Sequence, residues 1–227
     1  MRTGLAMSSV SAGNREACLL PASGVPPVVF VVDDDVSVRE SLDLLIQCAG
    51  WRVETFASAA EFMARPRFPA ASCLVLDVTL PDLSGLELQR RITANRSYMP
   101  IIFISGNGDV PMTVRAMKAG AMEFLMKPLG DEALLTAIGD AIALSYAALD
   151  REAQIRTLRE RHALLSPREQ EVMALVVSGL LNKQIGGELG ISEITVKAHR
   201  GKVMRKMKAD SLADLVKMST ELGAFAR

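Results

Sequence analysis

The sequence predicts two units: an α/β unit built on a five-stranded, doubly wound parallel sheet, and a smaller all-α unit behind it. Three observations carry this. Five short apolar runs alternate with helix-period segments between residues 28 and 129. From Leu165 those runs stop, and short helical patterns separated by Gly-containing turns take over. The formal charge, zero overall, also divides between the halves. Residues 1–148 hold 12 Lys+Arg against 16 Asp+Glu, and residues 149–227 hold 14 against 10. An acidic half and a basic half imply two modules with different partners, the basic one suited to phosphates.

Residues 1–26 show no sustained period and read as a disordered tail. Val28–Val32 is continuously apolar and β-branched, as a strand buried on both faces should be. Val38, Leu42, Leu45 and Ile46 then follow at helical spacing over 37–48, and Gly50 stops that helix. Arg52–Phe56 is the second strand, and Ser58 with Glu61 forms a capping box that opens a second helix. Cys73–Leu76 is the third strand; it runs into Asp77, a loop with Pro81 and Gly85, and a helix to about Ala94. Ile101–Ile104 is the fourth strand, after which Asp109 and Pro111 start a helix that Gly120 ends. Met122–Leu125 is the fifth, leading to Lys127-Pro128 and a helix from Asp131. Five β/α units of this length suit the flavodoxin-like strand order 2-1-3-4-5, with ligands beyond the carboxyl ends of the strands at the switch point between strands 1 and 3.

Residues 131–163 are helix-compatible throughout. They read either as a solvated linker or, through a seam of Ile138, Ile142, Ser145 and Leu149, as a short coiled coil. The domain bounds expected are a tail over 1–26, an α/β unit over 27–143, a helical linker over 144–163 and an all-α unit over 164–227. Within the last, Ser166-Pro167-Arg168-Glu169 is a helix start, and helices are expected at about 167–178, 183–189, 192–207 and 211–222.

Composition narrows the function classes. Hydrophobic residues at 49% and charged ones at 23% fit a globular chain. No membrane span is expected, since no apolar run approaches about 18 residues. The first 26 residues lack a signal-like apolar segment, and three cysteines without a C-x-x-C pattern argue against disulfides or a zinc knuckle. Two histidines exclude a His-rich metal centre. The expected location is cytoplasmic.

Chemistry concentrates at strand ends. Asp33, Asp34 and Asp35 follow the first strand, Asp77 the third, Ser105 the fourth and Lys127 the fifth. In the 2-1-3-4-5 order the first two groups converge, and like carboxylates brought together call for raised pKa values or a bound cation. Hard oxygen ligands favour Mg²⁺, which pairs with phosphate. Lysine and a hydroxyl in the same crevice suit phosphoryl oxygens, and an aspartate can itself accept phosphate as an acyl phosphate.

The stretch Val28–Leu129 resembles the receiver domain of two-component response regulators. The resemblance rests on VVDDD (31–35), LVLDVTLPDLSGLEL (74–88), IIFISGNGD (101–109) and AMKAGAMEFLMKP (116–128), and the wording is close to the FixJ and TodT/StyR type. It implies that Asp77 is the phosphoacceptor, that Asp33 and Asp34 organise Mg²⁺ together with Asp77, and that Thr79 offers its backbone carbonyl to the metal. It also implies that Ser105 and Lys127 contact the phosphoryl oxygens, that Phe124 is an aromatic switch moving with Ser105, and that Lys127-Pro128 is cis. Asp35 falls outside the metal pair and is expected to face solvent.

The other half carries its own signal. Asn182–Ser192 reads helix, glycine turn, helix start, with Ser192 as N-cap. From 192 to 208 there are six Lys/Arg against one acid, mixed with apolar Ile194, Val196, Val203, Met204 and Met207 that can pack one face. Such a helix at the second position of a helix-turn-helix can enter the DNA major groove. LSPREQEVMALVVSGLLNKQIGGELGISEITVKAHRGKVMRKM (165–207) resembles the LuxR/NarL-type DNA-binding domain. That resemblance places DNA contacts on Lys183, Thr195, Val196, Lys197, His199, Arg200, Lys202 and Arg205, with Val196, Lys197 and Arg200 nearest the bases.

Together these readings give a response regulator of the NarL/FixJ type that takes a phosphoryl group from a sensor histidine kinase, dimerises on phosphorylation, binds promoter DNA and acts on RNA polymerase. It is not expected to be a metabolic enzyme. The alternatives are an Mg-dependent phosphatase on the same carboxylates, a small-molecule-sensing LuxR-type regulator, and a receiver with an RNA or protein output.

Overall fold

The computed structural model describes residues 25–66, 70–95, 98–106 and 110–223. Most of the expected tail, the Asp109 helix start and the last four residues lie outside these. The sheet strands are β1 (Val28–Val32), β2 (Arg52–Phe56), β3 (Ser72–Asp77), β4 (Ile101–Ser105) and β5 (Glu123–Met126). All pairs are parallel and the order is β2-β1-β3-β4-β5. This is the expected topology, with the fifth strand one residue later than its apolar run indicated.

Alternate residues of each strand point to opposite faces, so each face has its own core. On one side Phe30, Leu74, Leu76 and Phe103 pack with Phe62 of α2 (Ala59–Ala64), Leu88 and Ile92 of α3 (Gly85–Asn95) and Ala116 of α4 (Val110–Lys118). On the other, Val29, Val31, Val75 and Ile102 pack with Leu42 and Ile46 of α1 (Val36–Cys48) and with α5 (Asp131–Ala163). The Ser58 hydroxyl caps α2 by accepting from Glu61 N–H, but the Glu61 carboxylate accepts from Ala57 N–H, one residue before the expected partner.

Helix α5 departs most from expectation. Its Leu134, Ala137, Ile138, Ala141 and Ile142 lie buried against the sheet, and the Ser145 hydroxyl accepts from Ser72 N–H at 3.0 Å. The seam read as a coiled coil is therefore spent inside the chain. An 18-residue window of α5 is apolar enough to cross a membrane by length and composition, but Asp140 interrupts its apolar run, and its buried residues belong to the sheet core. At its other end Ile155 and Leu158 are buried, α5 packs on α8 (Glu193–Met207) and α9 (Leu212–Gly223), and Arg161 Nη1 donates to Met207 O. One continuous helix of about 50 Å thus serves both halves.

The helical half has a core of Leu165, Val172, Met173, Val176, Ile185, Val196, Val203, Met207 and Leu215, drawn from α6 (Pro167–Val177), α7 (Asn182–Leu189), α8 and α9. Between α7 and α8, Gly190 adopts a left-handed φ of 65°, and a Cβ on Gly186 would sit 2.8 Å from Ile191 O, so this turn closes only around glycine. The capping box of Ser166 and Glu169 forms in full. Glu169 also takes the Lys206 ammonium at 2.6 Å, while Lys206 donates to Leu164 O at 3.0 Å. One lysine on α8 therefore ties down the start of α6.

The Lys206 hydrogen bond, followed by that of Ser166 N–H, holds the Glu169 carboxyl down to about 2 from its ordinary 4.5. A depressed carboxyl stabilises the fold above its unfolded pKa, and that contribution fades as pH falls from 4.5 toward 2. Urea unfolding should accordingly find the wild type more stable than Glu169→Gln at pH 7 and the difference shrinking through that window; a difference independent of pH would remove the ion pair from the account.

Candidate functional site: an acidic pocket and a basic helix

Parallel strands deliver their C-terminal residues to one edge, and at this edge the acids meet. Asp33, at the end of β1, is completely buried; Asp77, at the end of β3, is 7% exposed; Asp34 is exposed. One carboxylate oxygen from each lies within 4.8 Å of the others. Lys127, just past β5, reaches across the sheet so that its Nζ lies 2.6 Å from Asp33 Oδ2 and 2.6 Å from Asp77 Oδ2. The second oxygens are held by the backbone: Asp35 N–H donates to Asp33 Oδ1 at 2.9 Å and Thr79 N–H to Asp77 Oδ1 at 2.8 Å.

Burial pushes the Asp33 carboxyl up, and Asp77 adds to this, while Lys127 and the Asp35 N–H pull the other way; the net direction is upward. Burial works against the charge on Lys127, but hydrogen bonds to the two carboxylates outweigh it and keep the ammonium above its ordinary value. Three hard oxygen donors around one point fit a Mg²⁺ ion.

The other candidates fall around this centre. Ser105 is buried at the end of β4, and its carbonyl accepts from Lys127 N–H at 2.8 Å. The Lys127-Pro128 bond is cis. Phe124 is half-buried beside Phe103, ring centroids 6.2 Å apart, one pleat away from Ser105 on the same face. Thr79 is exposed on the loop. Asp35 is exposed as expected but also caps α1, accepting from Ser37 and Val38 N–H.

Two positioning residues escaped the sequence reading. Arg39 on α1 donates to Asp33 O at 2.7 Å, pinning the loop that carries the acid pair. Asp82, in the loop after Asp77, accepts from Ala60 N–H at 2.9 Å and Ala59 N–H at 3.3 Å, bonds that hold its carboxyl below the usual range and tether that loop to α2. No local signal announces a bond spanning more than twenty residues. Gly85 closes the loop, since a Cβ there would lie 2.5 Å from Asp77 O.

The basic helix sorts its candidates more sharply. Lys197, Lys202 and Arg205 on α8 and Lys183 on α7 are exposed. Arg200 is half-buried and donates to Asn182 Oδ1 at 3.2 Å, so it braces α7 against α8. Thr195 is half-buried and bonded to the Ser192 cap. His199 is half-buried, with Nδ1 enclosed and without a hydrogen-bond partner among the described residues. Val196 is fully buried in the helical core, which agrees with its place among the packing residues and not with the expectation that it lies nearest the bases. Ile194, expected on the packing face, is instead 82% exposed on the solvent side.

Comparison with known proteins agrees with both halves. Residues 29–139 match the response regulator receiver domain, and residues 163–219 match bacterial regulatory proteins of the luxR family. The chain is 50% identical over 199 residues to Nodulation protein W of Bradyrhizobium diazoefficiens, covering 88% of each chain. It is 45% identical over 195 residues to response regulator protein TodT of Pseudomonas putida, covering 86% of each. The solved structure of response regulator StyR superposes with a TM-score of 0.75 at 48% identity, covering 87% of this chain and 100% of that one. The chain belongs to the NarL/FixJ-type response regulators.

As a response regulator it couples phosphorylation to transcription through a DNA-binding output. The phosphatase, small-molecule-sensor and non-DNA readings are not favoured, because a receiver and a LuxR-type DNA-binding domain are both matched on one chain. In the receiver, Gly85→Ala should press on the Asp77 carbonyl and cost about 1–3 kcal/mol. A urea midpoint equal to that of the wild type would show that the loop accommodates the added carbon.

Proposed function

We propose that Asp77 is the phosphoacceptor, that Asp33, Asp34 and Asp77 hold Mg²⁺ with the Thr79 carbonyl, and that phosphorylation drives dimeric promoter binding. The observation that carries this is the position of Lys127, whose single ammonium contacts Asp33 and Asp77 together while Asp34 stays open to solvent.

The chemistry follows from those contacts. An Asp77 carboxylate oxygen attacks the phosphorus of a phosphohistidine on a sensor kinase. The P–N bond breaks, its electron pair stays on the imidazole, and an acyl phosphate remains. A magnesium ion held by Asp33, Asp34 and Asp77 would supply positive charge that offsets the charge on the phosphoryl oxygens. Lys127 is placed to exchange its bond to Asp77 for one to the new phosphoryl group, and Ser105 to donate its hydroxyl to another phosphoryl oxygen. Hydrolysis of the acyl phosphate resets the receiver, so its catalysis is confined to its own aspartate.

Ser105 drawn toward Asp77 opens space on the face shared with Phe124, and the aromatic ring follows. That face, formed by α4 and β5, already presents Val110, Val114, Met117 and Met126 to solvent, apolar area that a second copy can cover. Dimerisation is favoured over release of a mask because Lys197, Lys202 and Arg205 are exposed with the receiver attached. Two linked output modules then gain effective concentration on half-sites about one helical turn apart. The chain works in the cytoplasm with promoter DNA and RNA polymerase. Its receiver occupies about 27–143 and its output module 164–227, the latter leaning on the last turns of α5.

Acetyl phosphate with Mg²⁺ should give one phosphoryl adduct by intact mass and tighten DNA binding in a retardation assay. Asp77→Asn should do neither, and an adduct on that variant would move the phosphoacceptor elsewhere. Binding should weaken steeply with salt. Lys202→Ala and Arg205→Ala should each flatten the log–log slope by about 0.9, and an unchanged slope in both would place the DNA surface on other residues.

A further inference from the structure

We infer that Ile194 is a specificity-determining residue that reads the 5-methyl group of a thymine in each half-site. The inference rests on the proposed use of α8 as the DNA-reading helix and names what its first turn recognises.

A single exposed apolar side chain on a protein surface is ordinary. The surroundings of Ile194 are what distinguish it. It lies in the first turn of α8, after the Ser192 cap, and the N-terminal residues of a recognition helix are those that meet base edges. At 82% exposure it contributes almost nothing to the helical core, whereas Val196, two residues on, is completely buried there. The phase of the helix is thereby fixed. Ile194, Lys197, Ala198 and Gly201 stand at i, i+3, i+4 and i+7 on the outward face, all exposed, with Lys202 and Arg205 continuing it.

This face has cations for the phosphates and little bulk in its middle. Nothing lies within 4 Å of where a Cβ on Gly201 would be, so packing does not demand glycine there, although glycine costs a helix interior about 1 kcal/mol relative to alanine. A helix with that profile can lie close to a groove floor. The major groove offers one alkyl group for a branched aliphatic side chain to cover, the thymine methyl; the polar features read beside it are hydrogen-bond donors and acceptors. Lys197, one turn on, can lay its aliphatic stem beside Ile194 and help exclude water from the contact.

The test uses the full-length chain treated with acetyl phosphate and Mg²⁺. A duplex enriched from a random-sequence pool is re-synthesised with each thymine replaced in turn by uracil, which removes only the methyl. Wild type should lose about three- to fivefold in affinity at one position per half-site, and Ile194→Val should keep that sensitivity. Ile194→Ala should bind thymine and uracil forms alike, with an unchanged melting temperature because the side chain is exposed. A uracil scan that is the same for wild type and Ile194→Ala on a duplex both bind specifically would overturn the inference and leave the DNA-reading role of α8 standing. Failure of the wild type to enrich any sequence would overturn both.

Discussion

Two carboxylates at the closed end of a buried sheet are held together by one ammonium, and the geometry of the receiver follows from that constraint. Asp33 and Asp77 are brought side by side because β1 and β3 are neighbours in register, not because the acids attract. Lys127 relieves their repulsion from the far side of β4. Arg39 and Asp82 hold the two acid-bearing loops from outside, and Gly85 lets α3 press against the Asp77 carbonyl. Any group that takes Lys127 away from Asp77 therefore acts on a residue only four positions from the first turn of α5.

From that first turn the helix has no break until Ala163. Its first half is packed on the sheet and its last turns on α8 and α9, so one continuous helix joins the sheet to the output module. The output module in turn separates two kinds of cation. Lys206 is committed to Glu169 and Arg200 to Asn182, both holding helices together. Among the described residues Lys197, Lys202 and Arg205 have no such partner, and they face solvent. Charge alone treats these five residues as one patch; their partners divide them into scaffold and surface.

That division marks how far the sequence could be read. Strand positions, their order and the convergence of Asp33, Asp34, Asp77 and Lys127 were legible because short β-branched runs and strand-end residues report directly on a parallel sheet. The facing of α8 was not. Apolar and basic residues alternate along it without a clean 3.6-residue stripe, so of the apolar residues expected to pack, Val196 is buried and Ile194 faces solvent. The seam on α5 was visible as an apolar line, but a seam looks the same whether it meets a second helix or its own sheet. Asp82 with α2 and Lys206 with Glu169 are bonds between residues distant in sequence, and neither partner carries a local mark of the other.

The central claim, that a phosphoryl group at Asp77 converts a monomer into a DNA-binding dimer, is tested most directly by light scattering of the full-length chain at the concentration where it binds DNA. With acetyl phosphate and Mg²⁺ the account predicts a mass twice that of the untreated chain, and no change for Asp77→Asn. A phosphorylated protein that binds its DNA while remaining at the monomer mass would contradict it.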